Sequence, residues 1–494
     1  MGVGSVSFSI RTAAAFVLLA MLAACSTLQG RTLETLNSQE LQGTRWGLVV
    51  LSADSGRELV AIRPDERFTP ASNTKLFTVA AALQRLPGLA IPDPAAGASV
   101  RIEPQEKGAP DIALIGGGDA MLIDAEDCER DCLSSLVNMV TASGVTRVRD
   151  VIGDDRLFPD QRWAEGWSHE DLIYRSGAPA SALVINSNEL VLQVAPGATA
   201  GEPVLTNWRT GDEYFQLTNQ AVTVEGDKDQ LRIERLPGLD VVRVYGTLGM
   251  GARAQTIPMA ADDPARVAAW RLRRLLEQRG VVVEGQIRTR HRPPLLPGQS
   301  GGDSKTTVTE TKGVEIGRLL PPPLIEDIRF LSKQSQNLHA EVLLRRLGLI
   351  EGEGSIADGL AVIRQMLSSF SVDEKAWDFS DGSGMSIYNR VTPRMVAQFL
   401  YRSTQEPWGA ALREALPVGG VDGTLSRRYK GTPLEGRIFA KTGTLSGVNA
   451  LSGFMLTSSG KMLIFSAYAN DRPSGADSVV PALDAALNAI AAAY

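Results

Sequence analysis

Three short motifs in this chain combine residue types that can carry out nucleophilic catalysis. Residues 72–75 have the form S-x-x-K, residues 335–337 the form S-x-N, and residues 441–443 the form K-T-G. A serine hydroxyl is a weak nucleophile until a base removes its proton. Residues i and i+3 of a helix share one face, so Lys75 can reach the oxygen of Ser72. The first motif therefore predicts a serine nucleophile with a lysine base.

Lys75 must lose its own proton before it can act as that base. Burial and a nearby positive charge both lower the pKa of a lysine, and Lys441 can supply the charge. Ser72 is predicted near the N-terminus of a helix, where backbone N–H groups and the helix dipole stabilise a developing oxyanion. The pattern indicates acyl transfer to the serine.

The second and third motifs supply the other groups that this chemistry needs. Ser335 can pass a proton to a leaving amine, and Asn337 can hold the backbone of a substrate. A lysine on a strand, with neighbouring threonine hydroxyls, can bind a free carboxylate. We expect the strand that binds it to contain Lys441, Thr442, Gly443 and Thr444.

Single motifs of this kind also arise by chance in this chain. Residues 458–461 repeat S-x-x-K, but they follow the K-T-G motif and have no partner motif after them. Residues 298–302 match G-x-S-x-G, a nucleophile elbow that needs a strand before it and a helix after it. They lie in a run rich in proline and glycine, so we reject them. The order and setting of the other three motifs are much more specific.

The three histidines, His169, His291 and His339, suggest no catalytic triad. His339 follows the S-x-N motif by two residues and is interpreted as a packed or polar helix residue. The sequence also contains no cluster of histidine, cysteine and carboxylate residues at the spacing of a metal site. We expect neither a metal nor a cofactor.

The elements around the motifs predict one α/β layer built from both ends of the chain. Residues 45–51 and 58–62 flank a turn and are typical of a β-hairpin. A helix is predicted over residues 72–86, with Pro70 at its entry. An apolar strand at 437–440 leads into the K-T-G motif, strands at 451–457 and 462–468 follow, and a helix at 483–493 ends the chain.

Residues 92–311 have a different pattern and are predicted to be an insertion. Strands at 112–115 and 148–152 each end in a turn, beginning at Gly116 and Gly153. Short alternating segments between residues 190 and 249 indicate a β-rich unit, and residues 263–280 an amphipathic helix. Residues 291–304 are rich in proline and glycine and are predicted to be an exposed loop. Helical periodicity then runs through residues 324–347.

The N-terminus has the pattern of an exported lipoprotein. Arg11 precedes an apolar run at residues 13–24, which is too short to span a bilayer and fits a signal-peptide core. The run ends in Leu-Ala-Ala-Cys, so Cys25 is the predicted lipidation site and would anchor the chain to a membrane. Ser26 suggests outer-membrane sorting, by resemblance to Gram-negative lipoproteins. A plain signal peptide cut near the same place is the alternative.

Two cysteines then remain, Cys128 and Cys132. An exported protein can hold such a pair as a disulfide. Residues i and i+4 of a straight helix bridge poorly, so the chain should bend there if the cysteines pair. The sequence leaves the pairing open.

Size and charge narrow the possibilities further. A chain of 494 residues with 44% hydrophobic residues is too long for one ordinary core, so two or three domains are expected. The net charge of -6 argues against nucleic acid as a partner.

In these motifs the chain resembles the class C low-molecular-mass penicillin-binding proteins, the D-alanyl-D-alanine carboxypeptidase/endopeptidase group called peptidase family S13. About 260 residues separate Ser72 from Ser335, a gap that is typical of this family and much longer than in class A β-lactamases. The resemblance runs from about Gly43 to the C-terminus. Further runs that carry it lie at residues 116–119, 153–158, 177–183, 381–386 and 422–425.

The resemblance implies an α/β (α+β) fold. A β-lactamase/transpeptidase-like domain, with an antiparallel sheet flanked by helices, would be interrupted by a large two-domain insertion. The domains expected are a lipoprotein signal peptide at 1–25, a penicillin-binding peptidase domain at 26–90 and 315–494, and an inserted domain at 91–314. A β-rich domain would be nested in the insertion at about 190–248.

The resemblance also implies a function. The enzyme would cleave the terminal D-Ala-D-Ala bond of peptidoglycan stem peptides, and their cross-links, and β-lactams would acylate the same serine. The backbone N–H groups of Ser72 and Thr444 would form the oxyanion hole. Such an enzyme is expected in the periplasm of a Gram-negative bacterium, held to the outer membrane only by its lipid anchor.

One position departs from the family pattern. Family members that read a diaminopimelate side chain often have an arginine after the D-G-S-G-x-S run, where this chain has Ile387, with Arg390 three residues later. Asp154 or Asp155 would supply the acidic part of the same pocket. The alternative is that these two aspartates only shape a turn.

Two other functions share parts of this pattern. A β-lactamase would use the same acylation but needs a placed base for fast deacylation, and the sequence between the second and third motifs offers no obvious glutamate for it. A protein that binds peptidoglycan or β-lactams without turnover would not need every motif side chain, and all of them are intact here.

Overall fold

The structure is a computed structural model that describes residues 29–36, 38–87, 89–235, 238–294 and 313–494. The predicted signal peptide, Cys25 and the G-x-S-x-G run at 298–302 lie outside the described residues. Within them, every helix is too short or too polar to cross a membrane.

The strands are numbered in chain order. They are β1 (Arg45–Ser52), β2 (Glu58–Ile62), β3 (Ser99–Glu103), β4 (Asp111–Ile115), β5 (Arg147–Val148), β6 (Val151–Pro159), β7 (Glu189–Ala195), β8 (Leu205–Trp208), β9 (Gln216–Val224), β10 (Asp229–Arg235), β11 (Val241–Gly249), β12 (Gln255–Ala260), β13 (Val282–Val283), β14 (Ile287–Arg292), β15 (Val314–Arg318), β16 (Trp377–Asp378), β17 (Arg390–Val391), β18 (Ile438–Leu445), β19 (Val448–Leu456) and β20 (Met462–Asn470).

A short helix at residues 29–36 begins the described chain. The α-helices after it are Lys75–Arg85, Leu133–Ala142, Pro264–Gln278, Leu324–Gln334, Asn337–Gly348, Ile356–Ser369, Pro393–Ser403, Gly409–Ala415 and Val480–Ala493.

The chain divides into two compact units. The first contains the chain up to Gln84 together with Arg329–Ser335 and Ile363–Tyr494. The second contains Arg85–Ile328 and Gln336–Val362. In this division the chain passes from the first unit to the second between the serine and the asparagine of the S-x-N motif.

The first unit is built on a five-stranded sheet with the order β18-β19-β20-β1-β2. Each neighbouring pair of strands is antiparallel. Apolar side chains of the sheet, among them Leu48 and Leu451, share one core with Leu483 and Leu487 of the C-terminal helix. The helix Pro393–Ser403 packs against β1 and β20. This sheet makes β18, which carries the K-T-G motif, an edge strand.

The second unit contains a five-stranded sheet with the order β14-β6-β4-β3-β15 and two three-stranded sheets, β10-β11-β9 and β12-β7-β8. The helices Leu133–Ala142 and Pro264–Gln278 share a core with the five-stranded sheet. A separate core joins the two smaller sheets. Strands therefore dominate the range in which the sequence predicts a β-rich unit.

Cys128 and Cys132 form a disulfide, with their Cα atoms 5.8 Å apart. The bridge lies ahead of a helix and not within one, since Cys132 is the residue before the helix Leu133–Ala142. Asp131 has a φ of +55°. The chain thus bends between the cysteines, as their spacing requires.

One sequence prediction of local structure is wrong. The turn predicted at Gly153 is absent, because β6 continues through it and pairs with β4 and β14. A Cβ at Gly153 would lie 2.0 Å from the carbonyl oxygen of Ala265, so this glycine allows a helix to pack closely on the strand. The helical periodicity predicted at 324–347 is confirmed as two helices, Leu324–Gln334 and Asn337–Gly348, with a break at Ser335, where φ is +58°. The side chain of Gln336 then caps the next helix by accepting from the N–H of Leu338.

Candidate active site

Ser72 lies in a tight helical turn, Ala71–Thr74, that leads directly into the helix Lys75–Arg85. The Oγ atom of Ser72 and the Nζ atom of Lys75 are 2.9 Å apart. Lys75 is only 1% exposed. Ala71 has a φ of +46°, which is uncommon for a residue with a side chain and costs conformational energy. The structure therefore forms the contact that the spacing of the first motif predicts.

The loop at residues 381–386 also holds Lys75. The Nζ atom of Lys75 donates to the carbonyl oxygen of Ser383 at 2.6 Å, and the hydroxyl of Thr78 donates to that of Gly382 at 2.7 Å. A neutral amine can donate to Ser383 while its lone pair accepts the proton of Ser72. The sequence motifs predict no role for Ser383, because the contact is made by its backbone carbonyl, which every residue type has.

A buried carboxylate fixes the shape of this loop. Asp381 accepts hydrogen bonds from the N–H of Gly384 at 2.8 Å, the N–H of Ser386 at 2.7 Å and the side-chain amide of Asn389 at 2.6 Å. Hydrogen bonds to a charged acceptor are the strong ones, so the loop is well ordered by them. A Cβ at Gly384 would lie 1.9 Å from the carbonyl oxygen of Ala71. The loop is therefore packed directly against the turn Ala71–Thr74, which contains the predicted nucleophile Ser72 and is called the nucleophile turn below.

Lys441 lies on β18, and its Nζ atom donates to the hydroxyl of Ser335 at 2.8 Å and to the carbonyl of Thr442 at 3.0 Å. Burial, and secondly the charge of Lys75, hold the pKa of Lys441 well below its usual range. The repulsion between the two lysines is mutual. The pocket therefore disfavours two ammonium groups at the same time.

Asn337, the third residue of the S-x-N motif, falls in the second unit. Its side-chain amide donates to the backbone carbonyl of Ser176 at 2.8 Å. It is the first residue of the helix Asn337–Gly348. Its predicted contact with a substrate backbone stays a prediction.

A small cavity lies beside the K-T-G strand in the first unit. Its volume is about 220 Å³, which exceeds that of a carboxylate with a methyl group. The hydroxyl of Thr442 donates to that of Thr424 at its wall, at 2.8 Å. The cavity is lined by Thr424, Arg428, Thr442, Gly443, Thr444, Asn449, Ala450, Val480 and Leu483.

Asp154 and Asp155 lie on β6 in the second unit, and both carboxylates are already paired. Asp154 accepts from the Nε and Nη2 atoms of Arg156 at 2.9 and 2.5 Å. Asp155 bonds to Nδ1 of His291 at 2.8 Å and accepts from the hydroxyl of Ser181 at 2.8 Å. Because both side chains lie within a strand, neither shapes a turn. Substrate binding by these aspartates stays a prediction.

Ile387 and Arg390, at which the sequence departs from the family pattern, lie in the first unit. Ile387 is 54% exposed. Arg390 donates to the carbonyl of Ile387 at 2.6 Å and to that of Asn389 at 2.8 Å.

The second S-x-x-K match, which begins at Ser458, lies in an exposed turn between β19 and β20. The structure therefore gives that match none of the burial that surrounds Lys75.

Asn73, inside the first motif, has a role that residue spacing did not reveal. Its buried amide donates to the hydroxyl of Ser452 on β19 at 2.9 Å. Ser452 lies 3.0 Å from the hydroxyl of Ser466, which donates to Tyr468 at 3.1 Å. This buried polar chain ties the nucleophile turn to the central strands. The small polar residues Ser452 and Ser466 in otherwise apolar strands are the only signal of it in the sequence.

Two of the three histidines, His291 and His339, have structural partners. His291 lies between Asp155 and Asp263, at 2.8 and 3.2 Å, and these hydrogen bonds raise its pKa to about 10. His339 is buried in the helix that follows the S-x-N motif, as predicted. Among the described residues, no group of three or more histidine, cysteine or acidic side chains is arranged to hold a metal ion.

Comparison with known proteins gives this geometry a family context. The family model described as the D-Ala-D-Ala carboxypeptidase 3 (S13) family matches residues 29–494. A D-alanyl-D-alanine carboxypeptidase of Actinomadura sp. is 34% identical over 437 residues, which cover 85% of this chain and 77% of that protein. The D-alanyl-D-alanine carboxypeptidase DacB of Haemophilus influenzae is 24% identical over 486 residues, covering 94% of both chains.

The fold has a solved counterpart. The crystal structure of penicillin binding protein 4 from Haemophilus influenzae aligns with a TM-score of 0.76 and 22% identity, covering 94% of this chain and 98% of that one. The predicted mixed α/β fold and the resemblance to peptidase family S13 are both confirmed. The chain belongs to the D-Ala-D-Ala carboxypeptidase 3 (S13) family.

Proposed function

We propose that the chain is a serine-type D-Ala-D-Ala carboxypeptidase that also cuts peptidoglycan cross-links, and that Ser72 is its acylated nucleophile. The observation that carries the proposal is the 2.9 Å contact between Ser72 and the buried Nζ atom of Lys75. The second pair, Ser335 with Lys441 at 2.8 Å, lies in the same compact unit. Membership of the family supplies the substrate class.

In the proposed acylation, neutral Lys75 takes the proton of Ser72 while Oγ bonds to the carbonyl carbon of the penultimate D-alanine. The backbone N–H groups of Ser72 and Thr444 hold the oxyanion, as the family resemblance implies. Ser72 lies at the start of a helical turn, where such N–H groups have no partner within the helix. The peptide C–N bond then breaks as the leaving D-alanine amine takes a proton.

That proton comes from Ser335, which is bonded to Lys441 and can be reprotonated by it. Lys441, Thr442 and Thr444 bind the terminal carboxylate of the substrate. A carboxylate beside Lys441 raises the pKa that burial lowers, so substrate binding restores the ammonium form. Asn337 holds the substrate backbone. Water then attacks the acyl carbonyl carbon and passes a proton through Ser335 to Lys441, and the ester C–O bond breaks as Oγ of Ser72 takes back the proton held by Lys75.

β-Lactams are expected to acylate the same serine and to leave slowly. A β-lactamase, the main alternative, needs a placed base for deacylation. Glu341 lies between the second and third motifs, but it is buried and paired with Arg345 at 3.2 Å. The contacts of this glutamate support a slow acyl-enzyme.

The proposed location is the periplasm, with a lipid anchor at Cys25 after removal of residues 1–25. The disulfide between Cys128 and Cys132 supports an oxidising compartment. The outer membrane is proposed from Ser26.

The central experiment compares Ser72→Ala with Ser458→Ala, which changes the serine of the second S-x-x-K match. Each protein is treated with a fluorescent penicillin and, separately, with a pentapeptide that ends in D-Ala-D-Ala. Ser72→Ala should lose both labelling and D-alanine release, whereas Ser458→Ala should keep both. Continued D-alanine release by Ser72→Ala would disprove the assignment of the nucleophile. Fast turnover of nitrocefin by the parent protein would favour the β-lactamase.

A further inference from the structure

The S-x-N turn has a backbone conformation that something must hold. Ser335 has a φ of +58°, in the left-handed region that residues with a side chain rarely adopt. Such strain persists only where the surroundings determine the conformation. Within the second unit, the residues that follow Ser335 are bonded to one segment of the chain, residues 175–189.

Three side chains after Ser335 contact this segment in turn. The amide of Gln336 donates to Oε1 of Glu189 at 3.2 Å, and that of Asn337 donates to the carbonyl of Ser176 at 2.8 Å. Nε2 of His339 lies 2.9 Å from the hydroxyl of Ser187.

Apolar packing reinforces these contacts. Leu338 and Val342 of the helix Asn337–Gly348 share a buried cluster with Ala178, Ala180 and Ala182. The small side chains of the run at 177–183 allow the helix to approach closely. The first turn of the helix is thus fixed by both polar and apolar contacts.

His339 is held from a second direction. Its Nδ1 atom lies 2.6 Å from Oδ1 of Asp327, on the helix that precedes the turn. A carboxylate accepts, so in the neutral ring Nδ1 carries the proton and Nε2 accepts from Ser187. Asp327, His339 and Ser187 therefore join the helix before the turn, the helix after it and the segment at 175–189.

Asp327, His339 and Ser187 follow one another like the acid, base and nucleophile of a hydrolytic triad, but the burial of His339 indicates a different role. His339 is only 1% exposed, so its ring offers no face to a substrate. Ser187 itself has a φ of +55°, which shows that its backbone is also held in one conformation. The geometry fits a brace and not a second nucleophile.

We propose that His339 is a positioning residue, which acts with Asp327 and Ser187 to hold the S-x-N turn in its reactive conformation. The segment at residues 175–189 would then serve as the scaffold of that turn. This gives part of the inserted sequence a direct task in catalysis. The inference rests on the proposed function, in which Ser335 and Asn337 act in acylation.

The test measures how fast a fluorescent penicillin acylates each variant, at several drug concentrations, so that the maximal acylation rate is separated from drug binding. His339→Leu removes both ring hydrogen bonds and should lower the maximal rate about ten-fold, with binding changed less than two-fold. His339→Gln, which keeps a side chain that can bond, should recover most of the rate. Ser187→Ala should give a smaller loss of the same kind.

The control is Thr223→Val, which removes another hydrogen bond of the second unit, the one that the buried Thr223 hydroxyl accepts from the N–H of Gly197 at 2.8 Å. It should lower the melting temperature without changing the acylation rate. The double variant Ser187→Ala with His339→Leu should be no slower than His339→Leu alone, because both changes break one brace.

An unchanged maximal rate in Ser187→Ala and in folded His339→Leu would overturn the inference, as would rate losses that multiply in the double variant. Ser187→Ala decides the matter even where His339→Leu does not fold. Failure of the proposed function has a different signature, since the parent would then not be acylated at Ser72 at all.

Discussion

Gly384 is the residue at which the loop at 381–386 packs against the backbone of the nucleophile turn. Its φ is +88°, and an added Cβ would lie 1.9 Å from the carbonyl oxygen of Ala71 and 2.9 Å from the backbone nitrogen of Ser72. Both contacts are with backbone atoms, which cannot rotate away as a side chain would. Gly384→Ala should therefore displace either the loop or the turn.

The size of the displacement follows from these distances. A carbon and an oxygen that are not bonded rarely approach closer than 3.0 Å, so the gap must open by roughly 1 Å. A misplacement of about 1 Å near reacting groups can cost about 100-fold in rate. Overpacking of this kind also costs about 1–3 kcal/mol of stability, and the left-handed φ adds about 1–2 kcal/mol.

The assay is the rate of acylation by a fluorescent penicillin, measured well below the melting temperature of the variant. Gly460→Ala is the matched control, because Gly460 has a φ of +85° in an exposed turn and an added Cβ would meet nothing within 4 Å. It carries the same backbone strain without the collision. Gly384→Ala should be acylated about 100-fold more slowly, and Gly460→Ala at the parental rate. If Gly384→Ala reacted within about three-fold of the parent, the loop would not position the nucleophile.

Three further predictions follow from buried polar groups. Asn73→Ala should slow acylation about ten-fold, because it removes the bond to Ser452 beneath the nucleophile turn; parental kinetics would exclude this. Burial raises the pKa of Asp131 to about 9, so between pH 4 and 9 the folded protein holds a proton that the unfolded chain releases. The free energy of unfolding should therefore fall over this range as pH rises, by up to about 1.4 kcal/mol per pH unit. In urea titrations Asp131→Asn should flatten that slope and exceed the parent in stability at pH 8. The raised pKa of His291 gives a slope of the same sign: its stabilisation is complete below pH 6.5 and is lost as pH rises toward 10. The stability difference between the parent and His291→Asn should shrink over that range, and a constant difference would contradict it.

The arrangement of the proposed catalytic side chains could be predicted from sequence because their relations are local or marked by residue type. Ser72 and Lys75 are one helical turn apart, and Lys441 follows an apolar run that reads clearly as a strand. The antiparallel hairpins of the first unit also follow from alternation and turn residues. In each case the information lies within a few residues of the chain.

The contacts that hold these side chains are distant in sequence and could not be predicted in the same way. The carbonyl that orients Lys75 belongs to Ser383, 308 residues away. The substrate contact of Asp155 stays a prediction, but its hydrogen-bond partner His291 lies 136 residues later and has no local signal in the sequence. The sequence predicts a turn at Gly153, whereas the lack of a side chain there serves a helix more than 100 residues further on. A glycine or an aspartate has the same appearance in sequence whether it serves a turn, a substrate or a packed neighbour.

The depressed pKa of Lys441 gives the proposed mechanism a reason for burying two lysines together. A lysine with an ordinary pKa is a poor acid near neutral pH, and could return a proton to Ser335 only slowly. Burial, and the charge that Lys75 gains when it takes the proton of Ser72, make Lys441 a stronger acid, so it can supply the proton that the leaving amine needs. Before that transfer, a charge on Lys441 opposes protonation of Lys75, which must be neutral to accept the proton of Ser72. The repulsion between two lysines in one buried pocket therefore serves the base at one serine and the acid at the other.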